Sequence, residues 1–226
     1  MLLSSIANPE RLAFEEGADG VLSIIEFALA DSSPAELARL WIGLVGGEMR
    51  ARLSGEAELD LGAKLRANPS LRFNMRETPM RLGLELLSAH GNPRRGGDRS
   101  AFVMPSGHGV DADVISRSLS LLYSVGFTVA AGAATALRHL DRTKNESQRV
   151  PPVFVTMLYE RGERVFLFDR IDGGDLLVRA PHGRSSKRKG AQRVDPARVV
   201  EDPDSGLDRL TRSSVEESIG VALVPR

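Results

Sequence analysis

The stretch that decides the fold runs from Val150 to Gly183 and reads VPPVFVTMLYERGERVFLFDRIDGGDLLVRAPHG. It contains three short apolar runs rich in β-branched and aromatic residues, and Gly-containing turns separate them. Both turns, Glu160–Gly162 and Asp172–Gly174, are too short for the crossover connection that a parallel pair of strands needs. The sequence therefore predicts three consecutive antiparallel strands, at Val153–Tyr159, Arg164–Ile171 and Asp175–Arg179.

The sequence before this stretch has the pattern of helices. Gly20–Ala30 is densely apolar, which predicts a central buried helix. Ser33, Pro34 and Glu36 have the spacing of an N-cap, a first helical residue and a capping-box partner, so a second helix is expected to run to about Leu44. Further helices are predicted from Pro79 to Gly91, from the N-cap Asp111 to Ser124 and from Ala131 to Leu140, and a hairpin is predicted within Glu48–Gly62.

The C-terminal part of the chain returns to extended structure. Gly220–Pro225 is apolar and is expected to rejoin the sheet as a strand, whereas Val194–Pro203 predicts irregular structure or a short helix. Helices followed by strands predict an α+β fold. Because no long polar linker interrupts the chain, we expect one domain over residues 1–226, with a helical half at about 1–141 and a sheet half at about 150–226.

Composition excludes several function classes. The 226 residues are 42% hydrophobic, carry zero formal net charge and include no cysteine. These values are typical of a globular protein, and the missing cysteine excludes disulfides, thiolate metal sites and a cysteine nucleophile. The N-terminus has no readable signal peptide, which favours a cytoplasmic location. The charge-free run Ser118–Leu137 is long enough to span a bilayer, but Gly126 divides it, so we expect buried elements of a soluble protein and no membrane partner.

The order of elements, with a third strand ending in Ala180-Pro181-His182-Gly183, resembles bacterial C39-like and papain-like cysteine peptidase domains. The resemblance implies a papain-like (C39-like) architecture whose central helix begins at the nucleophilic cysteine, because the helix N-terminus stabilises a thiolate. Here Gly20 takes the cysteine position, Arg164 the histidine position and Ala180 the position of the Asn or Asp orienter. Arginine holds its proton at neutral pH and cannot act as the base. The resemblance therefore implies a pseudo-peptidase with a degenerate triad.

A second candidate site is the segment Phe102–Asp113, which places Ser106 and His108 close to two aspartates. Residues so near in sequence rarely converge as a Ser–His–Asp triad, and no G-x-S-x-G motif is present. A structural loop is therefore favoured over a hydrolase. The histidines show no metal-binding spacing and the Gly pairs do not open a helix after a strand, so neither a metal nor a cofactor is expected.

The strongest cluster of basic residues is the loop Arg184–Arg193. It carries no interleaved aromatic residue for base stacking, so a solvated loop is favoured over a nucleic-acid site. His182 is a possible contact in the cleft, although a turn residue is the simpler interpretation. The sequence thus favours a non-catalytic protein-binding, scaffolding or regulatory module whose partner is another protein. The alternatives are a hydrolase using Ser106 and His108, or a nucleic-acid-associated protein using residues 184–193.

Overall fold

A computed structural model describes residues 6–7, 18–53, 57–67, 79–91, 102, 109–143, 150–159, 162–179, 199–202 and 207–226. Within these residues the helices are α1 (Ala18–Ser32), α2 (Pro34–Val45), α3 (Leu61–Ala67), α4 (Pro79–Gly91), α5 (Ala112–Tyr123), α6 (Ala133–Thr143) and α7 (Arg212–Ser218). The strands are β1 (Arg50–Arg52), β2 (Glu58–Asp60), β3 (Phe127–Ala131), β4 (Val153–Tyr159), β5 (Gly162–Asp172), β6 (Asp175–Arg179), β7 (Val199–Asp202), β8 (Leu207–Leu210) and β9 (Ile219–Pro225). The mixture of helices and antiparallel strands confirms the α+β class.

The main sheet has seven strands among the described residues, in the order β3-β9-β4-β5-β6-β8-β7, and each neighbouring pair is antiparallel. The three predicted strands are confirmed as β4, β5 and β6. The turn between β5 and β6 requires glycine, because Gly173 and Gly174 both have positive φ, at 59° and 96°. The predicted C-terminal strand is confirmed as β9, which lies between β3 and β4 in the sheet.

The sheet separates two hydrophobic clusters. One face, which we call the α1 face, carries Val165 and Leu167 of β5 and packs with the side chains of α1 and α5. The opposite face, which we call the α6 face, carries Phe166 and Phe168 and packs with α6 and α7. Because both faces are covered, the central strands are nearly continuous apolar runs and do not alternate with polar residues.

Helix α1 is buried along Gly20–Ala30, which explains why this stretch is densely apolar. Its two polar residues there, Ser23 and Glu26, are buried as well. It packs against α2, α4 and β5. Helix α5 is connected to its neighbours by two buried serines. The hydroxyl of Ser116 donates to the carbonyl of Phe127 in β3, at 3.1 Å, and that of Ser118 donates to Leu87 in α4, at 3.2 Å.

The charge-free run Ser118–Leu137 is interrupted as predicted. It forms the end of α5, the strand β3 and the start of α6. Ser124 ends the first helix in the left-handed conformation, with φ of 57°, and β3 then pairs with β9. Within the described part of the chain, no helix combines the length and apolar character needed to cross a bilayer.

Several local predictions need correction. Strand β3 comes from the predicted helical half, and α7 lies within the sheet half, so the chain does not divide cleanly into helices and strands. Val199–Asp202 forms a strand, where irregular structure or a short helix was expected, because β8 provides a partner for it. The side chain of Ser33 makes no capping hydrogen bond. The carboxylate of Glu36 accepts from Arg39 at 2.8 Å. It does not complete a capping box, because the backbone N–H of Ser33 already donates to the carbonyl of Leu29 at 2.9 Å.

The hairpin predicted within Glu48–Gly62 is confirmed as β1 and β2, with Ala51 opposite Leu59. It is followed directly by helix α3, which the sequence pattern did not predict. The helix beginning after Asp111 is also confirmed. The carboxylate of Asp111 accepts a hydrogen bond from the backbone N–H of Val114 at 3.1 Å, which is the geometry of an N-cap.

Candidate functional site

Gly20, at the position expected for a nucleophilic cysteine, is the third residue of α1 and is buried. The predicted buried helix is therefore present, and it packs on β5. Glycine contributes no side chain, so this position offers backbone groups alone to any ligand. The neighbouring residues Val21 and Leu22 are buried in the core and offer no nucleophile.

Arg164 does not share a sheet face with α1. It pairs directly with Met157 across β4 and β5, and Met157 belongs to the cluster on the α6 face. Since side chains alternate along a strand, Arg164 lies on the same face as Phe166, while Glu163 and Val165 lie on the α1 face. The structure therefore does not bring the side chain of Arg164 to the helix that begins near Gly20.

The remaining predicted site residues fall outside the described residues. These are Ala180, His182, Ser106, His108 and the basic loop 184–193.

The side chain at the start of β5 that does lie on the α1 face is Glu163. One of its carboxylate oxygens accepts the backbone N–H of Val110 at 2.9 Å. The other lies beside Gly220 of β9, where the hydroxyl of the fully buried Thr156 also lies. Sequence analysis did not single out Glu163. The signal available in the sequence was an acidic residue just before the apolar run Val165–Phe168, next to Arg164.

A cluster of charged side chains lies on the α1 face near the end of α1. Arg179 of β6 contacts Asp31 of α1 at 2.7 Å and Asp169 of β5 at 3.5 Å, and Arg170 contacts Asp169 at 2.8 Å. Burial raises the pKa of Asp31, and the positive charge of Arg179 opposes that rise. Two arginines thus face two aspartates, and the cluster connects α1 to two strands of the sheet.

A second buried polar group lies within α1 itself. Glu26 is 8% exposed, and burial raises its pKa against the opposing charge of Arg81 from α4. Arg81 also donates to the hydroxyl of Ser23 at 2.8 Å. A carboxyl group with a raised pKa is a candidate acid or base. However, core residues surround Glu26 along the helix, including Ile25 and Phe27, so the position favours a structural role.

Three buried polar groups on the α1 face form hydrogen bonds or ion pairs within the protein. Thr156 accepts the backbone N–H of Val221 at 2.9 Å, Ser23 accepts from Arg81, and Asp169 is paired with arginine. Such groups stabilise the fold and are not free to bind a substrate. Within the described ranges, no three His, Asp or Glu side chains are placed together so that they could hold a metal ion.

Comparison with protein-family models, with curated proteins and with solved structures finds no match to this chain.

Proposed function

We propose that this chain is a non-catalytic, peptidase-like domain that acts as a protein-binding, scaffolding or regulatory module. The observation that carries the proposal is a buried glycine, Gly20, at the position of the nucleophile in a chain that contains no cysteine. The position of Arg164, which the sheet separates from α1, argues against a working triad and does not support the papain-like part of the resemblance. Cysteine peptidase chemistry needs a thiolate and a base within hydrogen-bond reach of each other. Gly20 provides no nucleophile, and Arg164 would be no base even if it lay beside α1.

The polar groups on the α1 face also support a non-catalytic role. Glu163 is bound to the backbone of Val110, and Asp169 is bound to arginine. A general base must be within reach of the proton that it removes from a substrate. Carboxylates that already accept strong donors from the protein are better suited to stabilising the fold.

Two exposed apolar side chains of α2 support a protein-binding role. Ile42 is 64% exposed and Val45 is 49% exposed, and they lie three residues apart on one face of the helix. Trp41, beside them, is packed partly against the core. Large aliphatic side chains next to an aromatic residue are typical of the centre of a protein-binding patch.

The catalytic part of the proposal is tested with purified wild-type protein. We expect no cleavage of casein or of peptide libraries above a buffer control. The Ser106→Ala and His108→Ala variants serve as matched controls. Cleavage by the wild-type protein that either substitution abolishes would contradict the proposal and favour the hydrolase alternative.

The binding part is tested by photo-crosslinking in cells of the native organism. A crosslinking residue is placed at position 42, and a second variant carries it at position 216 as an exposed control. The partner is then purified and its affinity measured directly. We expect Ile42→Ser with Val45→Ser to weaken binding by about tenfold or more, as substitution at the centre of an interface does. Equal binding by the wild-type and doubly substituted proteins would exclude α2 as the binding surface.

A further inference from the structure

A β-bulge interrupts the pairing of β4 with β9 next to Glu163. Val155 pairs with Ala222 and Met157 pairs with Ile219, so two residues of β9, Gly220 and Val221, lie opposite Thr156. The bulge removes a regular ladder hydrogen bond. The hydroxyl of Thr156 replaces it by accepting the N–H of Val221 at 2.9 Å. Bulges of this kind are retained next to functional sites, where they redirect a side chain.

Glycine at position 220 makes room for a carboxylate at the bulge. A Cβ atom added there would lie 2.6 Å from Oε1 of Glu163 and 2.7 Å from Oγ1 of Thr156. Both distances are far below van der Waals contact, so no larger residue fits without moving these groups. We call the space bounded by Thr156, Glu163 and Gly220 the bulge notch.

From the bulge notch, Glu163 reaches a different part of the chain. Its Oε2 accepts the N–H of Val110 at 2.9 Å. The next residue, Asp111, donates its own N–H to the carbonyl of Phe102 at 2.7 Å, and Phe102 is fully buried. Asp111 also caps α5. A single carboxylate therefore binds the backbone at the point where the start of α5 lies beside the sheet.

We propose that Glu163 is a positioning residue that latches the chain at Val110 to the sheet. The bulge and Gly220 make the notch that receives its carboxylate, and Thr156 satisfies the backbone N–H that the bulge releases. The latch sets the position of Phe102 and of the N-terminus of α5 relative to the α1 face. It acts whether the α1 face binds a protein partner or a substrate, so it goes beyond the proposed function.

The latch is tested by hydrogen exchange of the full-length protein at single-residue resolution. In Glu163→Ala the Val110 amide loses its acceptor, and its protection factor is expected to fall by about tenfold or more, as for loss of a hydrogen bond to a charged group. Glu163→Gln keeps an acceptor oxygen and should restore most of the protection. The amide of Phe154, in the centre of the sheet, should be unchanged in both variants. Glu48→Ala, at an exposed turn residue, is the matched control.

Gly220→Ala is an independent perturbation, because the added methyl group displaces the carboxylate. It should lower the protection of Val110 by about as much as Glu163→Ala. Unchanged protection of Val110 in Glu163→Ala would overturn the latch. Equal losses at Val110 and Phe154 in both Glu163 variants would also overturn it, because they would show global destabilisation. If Gly220→Ala does not fold, the comparison of Glu163→Ala with Glu163→Gln decides the question.

Discussion

Nη1 of Arg179, at the end of β6, lies 2.7 Å from Oδ2 of Asp31, in the last turn of α1. The same guanidinium reaches Asp169 of β5, whose side chain is 8% exposed. Arg179 thus connects the central helix to two strands through two carboxylates. Removing it takes the arginine partner from Asp31 and leaves Asp169 with Arg170.

We expect Arg179→Ala to destabilise the protein by about 2 to 4 kcal/mol, because breaking a buried ion pair leaves an uncompensated charge. Arg212→Ala is the matched control. It breaks the exposed pair of Arg212 with Glu216 and should cost about 0.5 kcal/mol or less. Denaturant unfolding of both variants measures the difference. If Arg179→Ala and Arg212→Ala lower the free energy of unfolding equally, the ion pairs of Arg179 with Asp31 and Asp169 have no special structural role.

Glu26 predicts a specific dependence of stability on pH. Because burial raises the pKa of Glu26 above 4.5, the folded state binds the proton more tightly than the unfolded state does. The stability gained from protonation is therefore fully present below pH 4.5 and is lost as the pH rises through the raised pKa. We expect Glu26→Gln to be more stable than the wild type at neutral pH, with the difference shrinking in acid.

Melting temperatures measured between about pH 4 and pH 8 test this prediction, because the wild-type and variant curves should converge on the acid side. Glu217→Gln, at an exposed position on α7, is the control and should follow the wild type at each pH. If the curves of melting temperature against pH run parallel for Glu26→Gln and the wild type, the carboxyl group has the same pKa in the folded and unfolded states, and the prediction is wrong.

Two helical glycines should respond differently to alanine. A Cβ at Gly43 would lie 2.5 Å from the backbone oxygen of Arg50, whereas at Gly83 it would meet the end of the Leu44 side chain. Backbone cannot move as easily as a side chain. We expect Gly43→Ala to lower the free energy of unfolding by about 2 kcal/mol. Gly83→Ala should lower it less, because the Leu44 side chain can move and alanine has the higher helix propensity.

Gly47→Ala is the control for these two variants, because nothing lies within 4 Å of the added atom. Gly47→Ala should change the free energy of unfolding by no more than about 0.5 kcal/mol. Thermal unfolding ranks the three variants. A Gly43→Ala protein as stable as the wild type would mean that β1 can move away from α2.

The position of Arg164 also gives a chemical prediction. In Gly20→Cys with Arg164→His, the new imidazole should lie on the α6 face, on the far side of the sheet from the thiol. It therefore should not lower the thiol pKa. We expect the double variant and Gly20→Cys to show the same thiolate titration, measured by ultraviolet absorbance, and neither should cleave peptides. A thiol pKa lowered by the histidine would show that the two positions do meet.

The N-cap of α5 gives a smaller and well-defined effect. Asp111→Ala removes the acceptor for Val114 and should cost about 1 kcal/mol. Asp111→Asn keeps a side-chain oxygen and should recover most of that loss. Chemical denaturation of the two variants measures both effects. An equal loss in Asp111→Asn would assign the effect to the negative charge at the helix N-terminus and not to the hydrogen bond.

The sequence by itself determined the elements whose signals are local. These elements are the strands β4 to β6 with their apolar runs and short turns, the cap at Asp111 and the densely apolar helix α1. Their signals depend on neighbouring residues alone, and each prediction is confirmed. Strand β7 and the role of Ser33 were not predictable in this way. Strand β7 depends on β8, which itself pairs with β6 in the sheet. The N–H of Ser33, which a capping box would use, is taken by the carbonyl of Leu29 at the end of the preceding helix.

The candidate site was decided by tertiary structure. Absence of cysteine is a fact of sequence, and it alone excludes a thiolate mechanism. Strand register decides whether Glu163 or Arg164 lies on the α1 face. A shift of one residue in the register would exchange the two faces. The bulge at Gly220 likewise arises from the pairing of β9 with β4, strands separated by much of the C-terminal half of the chain. Register and bulges are properties of pairs of strands, and therefore only the folded sheet could place the carboxylate of Glu163 beside Val110.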